Sequence, residues 1–268
     1  MAGSLTVAEE KLRAADLAGA LADIQAEVRR NPAEPKGRIF LAQLFMVLGD
    51  WQRALTQLQT IAEMDAGAIP MTRAYSAAIQ CEQLRLSVLK GERSPLIFGD
   101  PQPWLALLVQ SLAALGAGRA AQADEIRAEA FEAAPAISGT LNGSEFEWIA
   151  DADSRLGPVL EVLLNGAYYW VPFGRIAAID IEPPADLRDL VWTPATFTWA
   201  NSGEAAGFVP TRYVGTETAT DAALRLSRRT EWQGIGADAF SGSGQRVLAT
   251  STQEVPLLEV RQLRLNCS

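Results

Sequence analysis

Residues 151–192 read DADSRLGPVLEVLLNGAYYWVPFGRIAAIDIEPPADLRDLVW, and their spacing decides what the second half of the chain becomes. The run Leu160–Leu164 alternates in the two-residue period of a β-strand. Asn165 and Gly166 follow at once, and this pair suits the turn of a hairpin because both positions need a positive φ angle. A second apolar run, 167–171, comes next. The sequence therefore predicts a β-hairpin here.

Further short strands are predicted on the C-terminal side of this hairpin. They are 176–181, 196–199, 246–250 and 257–265. Residues 185–190, between two of these runs, are predicted to form a turn or a short helix. Short strands at close spacing, with Gly and Pro between them, are typical of compact β-rich modules. We therefore expect a small β-rich domain of the α+β, barrel-like kind over residues 144–268.

The first half of the chain carries a helical pattern instead. Residues 38–65 read RIFLAQLFMVLGDWQRALTQLQTIAEMD, and Gly49–Asp50 interrupts the pattern. Apolar residues recur at helical spacing on both sides of this break: Leu41, Leu44, Phe45 and Leu48 before it, and Ala54, Leu55, Leu58 and Ile61 after it. The pair of helices resembles a tetratricopeptide repeat (TPR), which places large, small and aromatic residues at these positions.

The same pattern recurs one repeat length earlier. A step of 34 residues, the TPR period, relates Ala54 to Ala20 and Asp50 to Asp16. A third, TPR-like unit begins near Trp104. We therefore expect a TPR-like helical domain over residues 1–135, with residues 136–147 connecting it to the β-rich domain.

The helix at 38–48 is apolar nearly all round, which admits two interpretations. In the first, neighbouring helices bury both of its faces. In the second, part of it lines a groove that binds an amphipathic helix of a partner. The candidate partner-binding residues under the second interpretation are Ile39, Gln43, Met46 and Val47.

Composition narrows the classes of function. The chain has no histidine, which excludes Ser-His-Asp and Cys-His catalysis and HExxH zinc sites. The net charge is −9 and both halves are acidic, which disfavours nucleic acid as a partner. We find no signal peptide and no membrane span, and we expect the two cysteines to stay reduced in a cytosol. No catalytic, cofactor-binding or metal-binding residue is predicted.

Four local patterns have both a functional and a structural interpretation. Gly234–Ala239 fits GxGxxG/A, but its neighbours indicate a loop rather than a dinucleotide site. The acidic residues between 151 and 189 suit caps and ion pairs better than a cation site or a carboxylate pair. Arg225, Arg228 and Arg229 are interpreted as a solvated or salt-bridged surface. The aromatic set is interpreted mainly as core, with a ligand-stacking platform as the alternative: Trp170, Phe173, Trp192 and Trp199.

Several segments together resemble one protein family. They are FGDPQPW (98–104), FEWIADADSRLGP (146–158), NGAYYWVPF (165–173) and PADLRDLVW (184–192). In this order they are similar to the ImpE/TagJ (SciE-type) accessory proteins of bacterial type VI secretion systems. The resemblance implies a cytoplasmic, non-enzymatic protein that associates with the small subunit of the contractile sheath. It also implies a link to the unfoldase that recycles contracted sheath.

Two alternatives stay open at this point. A TPR scaffold with a partner outside secretion would show the same helical pattern. A carboxylate-dependent hydrolase in the second half would need no histidine.

Overall fold

The computed structural model describes residues 4–267, and helices occupy the first half. They are α1 (Ser4–Arg13), α2 (Leu17–Arg30), α3 (Pro35–Leu48), α4 (Trp51–Met64), α5 (Ile69–Leu89), α6 (Pro103–Gly116) and α7 (Ala120–Ala133); a single turn, α8 (Ala222–Arg225), lies in the second half. Three pairs pack as helical hairpins: α1 with α2, α3 with α4, and α6 with α7. Helix α5 stands between the second and third pairs, so the hairpins do not follow one another without interruption.

The 34-residue correspondence between the first two hairpins has a physical basis. Asp16 caps α2 and Asp50 caps α4, each accepting a hydrogen bond from the backbone N–H three residues further on. Ala20 and Ala54 are fully buried at the helix contacts, where a larger side chain would push the helices apart. The predicted helices are confirmed, while membership of the TPR class stays a prediction.

The second half is built of strands. They are β1 (Leu96–Ile97), β2 (Gly139–Leu141), β3 (Ser144–Phe146), β4 (Ile149–Asp151), β5 (Val159–Leu164), β6 (Ala167–Pro172), β7 (Ile176–Asp180), β8 (Trp192–Trp199), β9 (Glu204–Pro210), β10 (Thr230–Gly234), β11 (Phe240–Gly244), β12 (Val247–Thr250), β13 (Glu254–Pro256) and β14 (Gln262–Leu265). Nine of them form one sheet in the order β1-β6-β5-β9-β8-β7-β14-β2-β3. A small sheet, β13-β12-β4, and the hairpin β10-β11 complete the set.

The mixed α and β class is confirmed, but the barrel-like closure is wrong. The nine-stranded sheet is open, with β1 and β3 at its edges. It buries both faces without closing, because part of one face packs on the helices and the other packs on the small sheet. Strand β5 shows this directly: Val159 and Leu163 join the core shared with the helices, whereas Leu160 and Val162 join the core on the opposite face.

The predicted hairpin is confirmed. Asn165 has φ 49° and Gly166 has φ 78°, and these two residues connect β5 to β6. The predicted strand at 257–265 is wrong in its first part, since Leu257–Glu259 forms a single 3-10 turn and the strand begins at Gln262. The turn forms because the N–H of Val260 donates back to the carbonyl of Leu257.

The two halves share strands as well as a core. Strand β1, from the helical half, pairs with β6 in parallel. Strand β2 lies before residue 144 and pairs with β14. The division into domains 1–135 and 144–268 stays a prediction, and a fragment meant to contain β2 should begin before Gly139.

Candidate partner-binding cleft

A cleft of about 450 Å³ opens between α1, α3 and the segment 184–190. Its apolar walls are Leu12, Phe40, Pro184, Ala185, Leu187, Leu190 and Leu226. Its polar groups are Glu9, Arg13, Gln43, Asp186 and Arg228. Apolar walls with a few polar groups of both charges are the usual make-up of a binding site.

The segment 184–190 is held in shape by its own polar side chains. The Asp189 carboxylate accepts hydrogen bonds from the backbone N–H groups of Ala185 at 2.7 Å and Asp186 at 3.2 Å. Asp186 in turn pairs with Arg188. The interpretation of Asp186 and Asp189 as caps and ion pairs is therefore confirmed. Leu187 and Leu190 of the same segment line the cleft.

The same segment is tied to α5. The Arg188 guanidinium lies 4.6 Å from the centre of the Tyr75 ring, a cation–π contact. Burial raises the pKa of Tyr75 to about 12, so the ring remains neutral. At the end of the segment, Trp192 is fully buried and its Nε1 donates to Glu82 Oε1 at 2.8 Å. The cleft wall therefore has a fixed position relative to the helices.

Arginines join the other wall to the second half of the chain. The Arg228 guanidinium donates to the last two carbonyls of α1, at 2.6 and 3.0 Å. Arg225 donates to the carbonyl of Leu48, at the end of α3. These carbonyls belong to the last turn of each helix, where the helix dipole favours a cation, and that of Leu12 also accepts from the N–H of Ala15 at 2.9 Å. The solvated or salt-bridged surface predicted for the three clustered arginines fits Arg228 and Arg229, which are both exposed, and Arg229 pairs with two exposed carboxylates. Arg225 is half-buried.

Replacing Arg228 with alanine should loosen α1. We expect the free energy of unfolding to fall by about 1 kcal/mol, and hydrogen exchange to rise in the last turn of α1 first. Arg229→Ala is the matched control, because it removes an adjacent arginine whose ion pairs are with Asp221 and Glu231 and not with α1. Equal exchange in both variants would contradict this capping role.

The four residues predicted to contact a partner are placed differently from one another. Gln43 lines the cleft, and Ile39 is half-buried against the core. Met46 and Val47 are fully buried, and their carbonyls accept hydrogen bonds from Arg212 at 3.1 and 2.8 Å. As partner contacts all four stay a prediction, but the second half of this chain already covers Met46 and Val47.

A buried ion network, missed at the level of sequence, joins α5 to the sheet. The Arg85 guanidinium contacts both carboxylate oxygens of Glu161, at 2.9 and 3.0 Å. Arg246 pairs with Glu161 and with Asp151, and Tyr168 donates to Glu161 at 2.6 Å. The available signal was Glu161 itself, the one charged residue in the otherwise apolar run VLEVLL.

The pKa values of the two carboxyl groups in this network, Asp151 and Glu161, shift in opposite directions. Burial raises the pKa of Asp151 to about 6, although Arg246 faces it. Burial would also raise the pKa of Glu161, but the guanidiniums of Arg85 and Arg246 outweigh it and lower that pKa to about 2. Since these side chains are almost fully buried and bonded to one another, they hold the two halves together.

The remaining sequence patterns have structural roles. The four aromatic residues weighed as a ligand platform are buried, which confirms their core interpretation. Gly234–Ala239 connects β10 to β11, with no helix after it, as expected for a loop. Within residues 4–267, no group of three or more Cys, Asp or Glu side chains is arranged to hold a metal ion. No helix in that range is long and apolar enough to cross a membrane.

Comparisons with known proteins agree with the resemblance seen in the sequence. Residues 143–264 match the ImpE protein family. The chain is 47% identical over 259 residues to the type VI secretion system accessory component TagJ of Pseudomonas aeruginosa, covering 96% of this chain and 90% of that protein. The fold is similar to the crystal structure of protein VPA1032 from Vibrio parahaemolyticus, with a TM-score of 0.87, 22% identity and coverage of 97% and 98% of the two chains. The chain belongs to the ImpE/TagJ family of type VI secretion system accessory proteins.

Proposed function

We propose that this chain is a non-enzymatic, cytoplasmic adaptor that binds the small subunit of the contractile sheath. Its membership of the accessory-protein family supports a role beside the secretion apparatus. The observation that carries the binding role is the cleft between α1, α3 and the segment 184–190. That segment is also one of those through which the sequence resembles the family.

The cleft suits an amphipathic helix of the sheath subunit. Such a helix presents apolar side chains three and four residues apart along one face. Phe40 and Leu187 stand among the apolar walls that would receive them. The rim has charges of both signs, and most of them are engaged within this chain: Asp186 with Arg188, Glu9 with Arg13, and Arg228 with carbonyls of α1. It therefore suits a helix whose flanks carry both Lys and Glu better than a strongly acidic or strongly basic one.

The cleft is also preformed, which favours affinity. Asp189 fixes one wall and Arg228 ties the other to the second half of the chain. Little conformational entropy is then lost when the partner binds. In this proposal the bound adaptor is in turn linked to the unfoldase that recycles contracted sheath.

Calorimetry with the full-length chain and the isolated sheath subunit tests the proposal. We expect a dissociation constant of about 10 µM or tighter, which corresponds to about −7 kcal/mol. Phe40→Ala and Leu187→Ala should each weaken binding by about 10-fold, because each removes an apolar wall of the cleft. Trp232→Ala is the control, since this exposed tryptophan lies outside the cleft.

Two results would contradict the proposal. One is the absence of binding at tens of micromolar, with both proteins folded by circular dichroism. The other is binding that neither cleft variant changes, which would place the sheath subunit elsewhere on the surface. Cleft-dependent binding of an unrelated helix, without binding of the sheath subunit, would favour a general scaffold instead.

A further inference from the structure

A second apolar groove, of about 460 Å³, lies between the end of α7 and the small sheet of β4, β12 and β13. It shares no lining residue with the cleft at α1 and α3. Phe131 of α7 and Trp148, just before β4, line it and keep 37% and 42% of their surface exposed. Exposed aromatic side chains that share one groove mark a surface for a partner to cover.

The floor of this groove is made of small side chains. Ala150 of β4 pairs with Ala249 of β12, and Ala249 pairs with Glu254 of β13, so the three form one row across the small sheet. The alanines leave room above the sheet, and Glu254 ends the row at the rim. The Phe131 ring packs on Gly157, where a Cβ atom would come within 2.4 Å of it. The Phe131 side of the groove is therefore held in place by its contact with Gly157.

The segments around the groove carry an excess of negative charge. Four segments build the groove. The segments 129–137, 145–152 and 249–256 contain six carboxylates and neither Lys nor Arg, and the fourth, 154–158, contains one arginine, Arg155. The carboxylates are Glu129, Glu132, Glu145, Glu147, Asp151 and Glu254. Asp151 is buried and paired with Arg246. The other five are exposed, and none forms an ion pair with a residue in the described range 4–267.

Nearby arginines do not offset this charge, because they are already paired. Arg127 is bound to Asp124. Arg155 contacts Asp153 at 2.6 Å. The groove therefore combines an apolar floor and walls with Glu254 at its rim, and the exposed carboxylates of the segments that flank it form no ion pair within residues 4–267.

We propose that this groove binds a short cationic segment of another protein. An aliphatic or aromatic side chain of that segment enters between Phe131 and Trp148, and flanking Lys or Arg side chains face Glu132 and Glu254. Complementary charge favours such a segment and disfavours acidic ones. A second copy of this chain is a poorer occupant, since its net charge is −9. The proposal is independent of the sheath-binding cleft, which uses other residues.

Selection from a displayed library of random 12-residue peptides tests the groove. The library is selected on the full-length chain, and the retained peptides are then tested for binding to Trp148→Ala. We expect the peptides that this variant loses to carry net positive charge and at least one large apolar residue. Synthesised singly, they should bind Trp148→Ala at least about 10-fold more weakly than the wild-type chain.

Two further variants separate the aromatic and electrostatic parts of the proposal. Trp232→Ala is the matched control, because Trp232 is 40% exposed but lies outside the groove, and it should leave the affinity unchanged. Glu254→Lys should weaken binding about 5-fold or more, and added salt should weaken binding to the wild-type chain. The proposal is overturned if no selected peptide depends on Trp148, or if those that do are neutral or acidic.

Discussion

Replacing Glu161 with glutamine should lower the free energy of unfolding by about 3–5 kcal/mol, because each of two buried guanidiniums loses one of its two carboxylates. Arg85 keeps only Glu82, and Arg246 keeps only Asp151. Glu161 is fully buried and pairs with both Arg85 and Arg246. Glutamine has nearly the same volume, so the loss comes from charge rather than from packing. A domain is stable by only about 5–15 kcal/mol, and the variant should therefore be close to unfolding. Urea denaturation followed by circular dichroism measures the change.

The loss of stability caused by Glu161→Gln should also depend on pH. The pKa of Glu161 is about 2 in the folded protein, below its ordinary value of 4.5. A carboxylate with a lowered pKa stabilises the fold fully above its unfolded pKa and loses that stabilisation as pH falls towards the folded pKa. The difference between wild type and Glu161→Gln should thus be largest near neutral pH and smaller at pH 3. Asp151, whose pKa is raised, is present in both proteins.

An exposed glutamate provides the comparison. Glu145 is a strand residue on the surface, and Glu145→Gln should change the stability by no more than about 0.5 kcal/mol. If Glu161→Gln were as mild as this control, the remaining pairs of Arg85 with Glu82 and of Arg246 with Asp151 would be sufficient, and Glu161 would not hold the two halves together.

Local sequence signals predicted the local structure well. The break at Gly49–Asp50, the turn at Asn165–Gly166 and the caps of 184–190 each depend on residues within a few positions of one another. The burial of Trp192 followed from the apolar residues just before it. These features need no knowledge of distant parts of the chain, which explains why they were predictable.

Features that depend on distant contacts were not predictable in this way. Strand β9 was missed because EAAGFVP contains small residues in place of an alternating pattern. Its Gly207 is needed where β9 approaches β5, since a Cβ there would lie 2.6 Å from the carbonyl of Leu163. The two arginine partners of Glu161 lie 76 and 85 residues away, and no local pattern reveals them.

The candidate cleft also combines features that the local sequence predicts with features that depend on distant contacts. The all-round apolar helix admitted either burial of both faces of α3 or a groove for a partner, and it did not show which elements lie against α3. The second half of the chain supplies part of that cover through Arg212, which reaches the end of α3. The cleft then forms beside α3, where Gln43 meets the segment 184–190. Only the packing of the two halves brings these residues together.

Replacing Trp192 should cause the second large loss of stability. Its indole is fully buried, lies 5.8 Å from the Trp51 ring and donates to Glu82 across the junction with α5. Trp192→Ala should cost about 3–5 kcal/mol, because it leaves a cavity and an unpaired buried carboxylate oxygen. Trp192→Phe keeps most of the volume and loses the hydrogen bond, so it should cost about 1–3 kcal/mol. Thermal and urea unfolding give both values.

Binding measurements on the same variants then distinguish a structural residue from a contact residue. Because Trp192 is covered by Trp51 and α5, a bound partner cannot touch its indole. Sheath binding by Trp192→Ala should fall only in proportion to the unfolded fraction, and stabilising temperatures should restore it. Trp232→Ala, at an exposed tryptophan in contact with the Tyr213 ring, should leave binding unchanged apart from any loss of folded protein. Unchanged melting with abolished binding would instead move the partner contact from the cleft walls to Trp192 itself.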